Sequence, residues 1–170
     1  MALRLLAIAA THSRLGYAFF IGERLVDWRI SDRAAKSAAK AAAWARSVIA
    51  DLRPDVVVTE TPAETKRKGE KTKAMIDAVA AVAADAPILD VSVPRAQGYE
   101  NKYQEADAIA NVYPELRPWV PKPRQFFENE PRSIVIFEAM TLAFSILRIR
   151  PKVSRRRWDK QSPSVPCRSV

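Results

Sequence analysis

The run Val56-Val57-Val58 ends two residues later in a carboxylate, Glu60, and no other stretch limits the fold of this chain more. A short β-branched run without polar alternation reads as a strand buried on both faces, over residues 55–60. Such a strand needs helices above and below it, which makes the chain an α/β protein. Pro62 and the basic run Lys66, Arg67, Lys68 follow. A carboxylate leaving such a strand stands where open α/β sheets place their ligands. It can equally do no more than solvate a strand end.

Ahead of this strand, residues 3–9, 16–21 and 25–30 read as three strands joined by short turns, which favour an antiparallel meander. Ser31-Asp32 then offers a cap for an alanine-rich helix reaching Leu52, with Ala41, Trp44, Val48 and Leu52 on one face and Arg33, Lys36 and Lys40 on another. After the basic turn, residues 69–84 form a helix with Ala74, Ala78, Ala81 and Val82 as its packing face and with Lys71 and Lys73 among its charges. Pro87 stops it, and residues 88–93 form a fifth strand. The expected architecture is a mixed five-stranded sheet, three antiparallel strands then two parallel, with right-handed crossovers and helices on both faces.

Beyond Pro94 a polar segment leads into a short helix over residues 103–112. A proline-punctuated loop with Trp119, Phe126 and Phe127 follows; these aromatics either pin the loop to the core or stack on bases. The helix over residues 133–148 is apolar nearly all round, and its run from Ile134 to Leu147 carries one charge, Glu138. A helix of that kind is buried, and an ionised carboxylate inside it costs several kcal/mol unless a cation answers it.

The 170 residues suit one domain, over 1–150, followed by a basic, flexible tail over 151–170. Net charge is +9, from 28 basic and 19 acidic residues. The tail holds six of the basic residues (Lys152, Arg155, Arg156, Arg157, Lys160, Arg168) against Asp159 alone. An excess of this sign favours polyanionic partners through phosphate contacts. The single cysteine, Cys167, excludes an internal disulfide and a multi-cysteine zinc site. No apolar run is long enough to span a membrane, and a cytoplasmic protein is expected.

Two carboxylates far apart in sequence, one on the sheet and one in the last helix, can converge on one site. Their natural partners are hard divalent cations bound through oxygen, and Mg²⁺ with basic residues nearby is the apparatus of phosphodiester hydrolysis. Four local matches, in order, carry a resemblance: Leu-Ala-Ile-Ala-Ala-Thr-His-Ser-Arg-Leu-Gly-Tyr at 6–17, Val-Val-Val-Thr-Glu-Thr-Pro at 56–62, Val-Ser-Val-Pro at 91–94 and Phe-Glu-Ala-Met-Thr-Leu-Ala at 137–143. With the order of elements they make residues 3–147 resemble the RuvC-like nucleases of the RNase H superfamily, which include Holliday junction resolvases.

That resemblance implies an RNase H-like fold and two Mg²⁺ or Mn²⁺ ions for cleaving branched DNA, with Glu60 and Glu138 as catalytic and metal-binding residues. It also implies acids where this chain has Ala9, in the first strand, and Val135, one turn before Glu138. Histidine is a poor Mg²⁺ ligand, so His12, the only one, is a weak substitute. Arg14, Lys66, Arg67, Lys68, Lys71 and Lys73 are the candidate nucleic-acid contacts, and a homodimer would suit a two-fold symmetric junction.

Three readings stay open. The chain is a divergent nuclease with impaired catalysis that uses Glu60, Glu138 and a third ligand such as Glu128 or Glu130. Or it binds nucleic acid without catalysis. Or it is an interaction domain in which Glu60 or Glu138 pairs internally, for instance with Arg14. Actin-like ATPases share the superfamily layout but need glycine-rich phosphate loops, which four glycines in the whole chain do not supply.

Overall fold

The structure, a computed structural model, describes residues 1–61, 68–95, 99–123, 125 and 127–152. Five strands form one sheet: β1 (Arg4–Ala10), β2 (Leu15–Ile21), β3 (Arg24–Ser31), β4 (Val56–Glu60) and β5 (Leu89–Val93), in the order β3-β2-β1-β4-β5. β1 and β2 pair antiparallel, as do β2 and β3, while β4 joins β1 and β5 in parallel. The sheet is thus the expected mixed one, and the fold is RNase H-like.

Strand alternation divides the core in two. Leu6, Ile8, Ala10 and Val57 face helices α1 (Ala38–Leu52) and α2 (Glu70–Asp85). Leu5, Ala7, Ala9, Val56 and Val58 face α3 (Lys102–Val112) and α4 (Ile134–Leu147). Glu60 continues the second series, so Ala9 and Glu60 lie on the α4 side of neighbouring strands.

The first helix begins later than the Ser31-Asp32 cap implied. Ser31 Oγ accepts from Ala34 N at 3.0 Å, but only a single 3-10 turn, Ala34–Lys36, with Arg33 at its N-cap position, follows there. Ser37, whose side chain accepts from Lys40 N, is the N-cap of α1. On α2 the packing face is Thr72, Met75, Ile76, Val79, Val82 and Ala83, while Ala74 and Ala81 are exposed. The larger apolar side chains remove more area from water, and they set the rotation of the helix. The loop after α3 contains a 3-10 helix, Pro114–Trp119. Trp119 is 43% and Phe127 82% exposed, so neither pins the loop to the core; Phe126 lies outside the described residues.

Ile134 to Phe144 of α4 are buried without interruption, as an apolar helix requires. Gly16 in β2 permits its close approach. A Cβ built on Gly16 would stand 2.8 Å from Val135 Cγ1 and 3.3 Å from the Arg29 carbonyl oxygen. Val135 precedes Glu138 by about one turn, so the glycine sets the depth at which that carboxylate meets the sheet. At the other end, the Tyr113 hydroxyl donates to the Glu23 carbonyl at 2.7 Å, and its ring stacks on Phe144 at 5.8 Å.

Gly16→Ala is expected to destabilise the fold by about 1–3 kcal/mol, the usual cost of overpacking. Combined with Val135→Ala the loss should be less than the sum of the two single changes, because the shortened side chain makes room for the new methyl group. Urea unfolding of the four proteins measures this; strict additivity would show that the close approach at Gly16 does not set the position of α4.

Candidate functional site

Glu60 ends β4 at 3% exposure, and Glu138 sits in α4 at 6%. The fold brings the two together beneath one cleft, and the group between them is Lys68. Its Nζ donates to Glu60 Oε2 at 2.5 Å, to Glu138 Oε2 at 3.1 Å and to the Ala10 carbonyl at 2.7 Å. An ammonium group has three N–H donors, and here all three are used.

A second cation extends the chain of charges. Arg95, just after β5, donates from Nη1 to Glu138 Oε1 at 3.0 Å and from Nη2 to Glu105 Oε2 at 3.1 Å. The order is therefore Glu60, Lys68, Glu138, Arg95, Glu105, three carboxylates against two cations. Burial works to lower the Arg95 pKa, but the Glu138 and Glu105 carboxylates outweigh it and hold the value above its ordinary level. Burial raises the Glu105 pKa, and Arg95 only partly opposes this. Glu60 Oε1 is buried with no hydrogen-bond partner among the described residues.

A cleft of about 490 Å³ opens over this network, lined by Thr11, His12, Lys68, Thr72, Arg95, Tyr99, Lys102, Glu105, Glu130 and Glu138 among others. Thus Glu138 faces a space a ligand can enter, while Glu60 lies below Lys68.

The other residues singled out by sequence fall elsewhere. Lys68, expected among surface phosphate contacts, points inward with its side chain 13% exposed. Arg14 pairs with Asp32 at 3.1 Å and donates to the Glu130 carbonyl, so it is not the partner of either buried glutamate. Lys71 is exposed, and Lys73, half-buried, lies 3.9 Å from Glu70. Lys66 and Arg67 lie outside the described residues. His12 is exposed at the cleft. Glu130 pairs with Lys102, and Glu128 accepts from Gln125 N at 3.0 Å.

Arg95 and Glu105 were not singled out by sequence. Glu105 stands four residues before Ile109, on the buried side of α3, and that spacing is the signal that marks it.

No family model matches this sequence, and no curated protein matches it. Solved structures do. The chain is similar to T. thermophilus RuvC in complex with Holliday junction substrate, at 16% identity over 89% of this chain and 99% of that one, with a TM-score of 0.52. It is similar to Fowlpox virus resolvase in complex with Holliday junction DNA, at 17% identity over 86% and 97%, with a TM-score of 0.54. A further Thermus thermophilus RuvC structure matches at 17% identity over 89% and 100%, with a TM-score of 0.50. The fold is RuvC-like.

At such identities the likeness is one of fold, and the chemistry of the site has to be read from this chain's own residues. The donor set does not fit a pair of divalent ions. Ala9 offers a methyl group on the face where Glu60 points, and Val135 packs against Gly16. One oxygen each of Glu60 and Glu138 is already taken by an ammonium group. Among the described residues no three His, Cys, Asp or Glu side chains gather closely enough to hold a metal ion, so neither Glu128 nor Glu130 completes a ligand group with Glu60 and Glu138. What the arrangement does provide is an internally compensated acidic cluster at the floor of a polar cleft.

Removing the cation should be costly. Lys68→Met is expected to lose about 3–5 kcal/mol at neutral pH, because two buried carboxylates are left facing each other. Urea unfolding of the two proteins measures this; a loss below about 1 kcal/mol, the value of an exposed ion pair, would show that the buried pairing contributes little.

A pH dependence follows from Glu105. Its folded-state pKa lies above the ordinary 4.5, so the folded protein holds the proton more tightly than the unfolded chain. That contribution to stability is complete below pH 4.5 and is lost as pH rises through the folded value. Glu105→Gln should therefore flatten the fall in stability above pH 4.5 in a series of urea titrations, whereas an unchanged slope would assign the fall to other groups.

Proposed function

We propose that this protein binds branched or structured nucleic acid, most naturally DNA, as a RuvC-like domain whose carboxylate pair is closed by an internal lysine. The observation that carries this reading is the Lys68 ammonium with all three donors spent on Glu60, Glu138 and the Ala10 carbonyl. Binding itself is supported by the net charge of +9 and by the RuvC-like fold, two of whose similar structures are complexes with Holliday junctions. Arg14, Lys71 and Lys73, with Lys66 and Arg67 beside them in sequence, are the phosphate contacts of this reading, and a homodimer would match a two-fold symmetric junction.

A second reading, phosphodiester hydrolysis with Mg²⁺ or Mn²⁺, is favoured by one observation: Glu60 Oε1 is buried without a partner among the described residues, as a displaced ligand oxygen would be. It requires Lys68 to leave the pair.

Gel-shift titration with a four-way junction and a linear duplex of equal length separates these readings. The expected result is salt-sensitive binding, tighter for the junction, with intact DNA after incubation in Mg²⁺ or Mn²⁺. Cleavage that disappears in Glu60→Gln would establish the hydrolytic reading instead. No binding to either DNA at low salt would sink both and leave an interaction domain.

A further inference from the structure

We propose that the three oxygens around Lys68 form a cation seat that the ammonium fills permanently, so that the protein works without divalent ions and becomes a metal-binding protein only when Lys68 is removed. This deepens the reading of the cleft given above and rests on it. Glu60 Oε2, Glu138 Oε2 and the Ala10 carbonyl oxygen stand 2.5, 3.1 and 2.7 Å from one point, Lys68 Nζ. Two carboxylate oxygens and a carbonyl beside a cleft are the oxygen donors that a hard divalent ion such as Mn²⁺ or Mg²⁺ takes, with water from the cleft completing its shell.

The ammonium and a divalent ion compete for the same oxygens, and their like charges exclude joint occupancy at this distance. The lysine holds the advantage because it is tethered and dehydrates once, on folding. Both carboxylates reach the seat from rigid elements, β4 and α4, so the oxygens stay in place when the ammonium is taken away. Arg95 binds the other oxygen of Glu138, Oε1, and leaves Oε2 to the seat.

Mn²⁺ binding to the full chain, followed by the electron paramagnetic resonance of the free ion, tests this. Lys68→Ala should take up one Mn²⁺ per chain with a Kd at least about ten-fold below that of the unaltered protein, and Lys68→Ala combined with Glu138→Gln should lose that uptake. Equal uptake by the unaltered protein and Lys68→Ala would overturn the proposal, and so would no uptake by a folded Lys68→Ala.

Should Lys68→Ala fail to fold, limited acylation of the unaltered protein decides. With its ammonium buried in the seat, Lys68 should react with acetic anhydride at least about ten-fold more slowly than the exposed Lys71, as read by peptide mass spectrometry. Comparable rates would show an open seat and overturn the proposal. None of these readouts involves nucleic acid, so a failed gel shift leaves them intact, and junction binding in the presence of EDTA stands whatever the Mn²⁺ titration gives.

Discussion

An ionised carboxylate inside an apolar helix has to be answered by a cation, and Glu138 is answered twice. Lys68 takes one oxygen and Arg95 the other. Without them, the helix that completes one side of the core would carry a buried charge at several kcal/mol. With them, α4 can lie flat on the sheet, its buried run from Ile134 to Phe144 unbroken by the acid in its middle. Lys68 stands just before α2 and Arg95 just after β5, the last strand. The segments that follow the two parallel strands β4 and β5 thus carry positive charge to the place where the last helix brings negative charge.

The sheet was legible in the sequence because its signals are local: a β-branched run without alternation, short turns that favour a meander, and prolines that stop helices. Element ends were read to within a few residues, and the late start of α1 reflects two competing serines, of which Ser37 caps the longer helix. The convergence of Glu60 and Glu138 was also legible, since a lone acid in an apolar helix demands a partner. Which partner it finds was not. Lys68 stands in a run of three basic residues that reads as surface, and only its contacts in the fold reveal that its ammonium points inward. Arg95 comes from a polar segment without apolar periodicity to mark it, and its pairing with Glu105 spans a sheet exit and a helix face. On α2, alanines and larger apolar residues compete for the same side, and burial area decided between them.

A RuvC-like fold leaves wide latitude in what its cleft does, because function resides in a few side chains grafted on the scaffold. Here the scaffold keeps the geometry that gathers acids at the exit of the central strands. It has a methyl group at Ala9 and an isopropyl group at Val135 in the surroundings, and it supplies cations from within. Gly16 links the two levels: the same absence of a side chain that lets Val135 approach β2 also lowers Glu138 toward the sheet.

The members of the charged cluster are far apart along the chain: 70 residues separate Lys68 from Glu138, and 43 separate Arg95 from it. Contacts of that range close large loops and are reached only after the local strands and helices have formed. The cluster also holds two short-range pairs, Lys68 with Glu60 and Arg95 with Glu105, eight and ten residues apart. Glu138 is the member that ties these two local pairs to each other, so one side chain of the last helix fastens two separate stretches of the chain to one place.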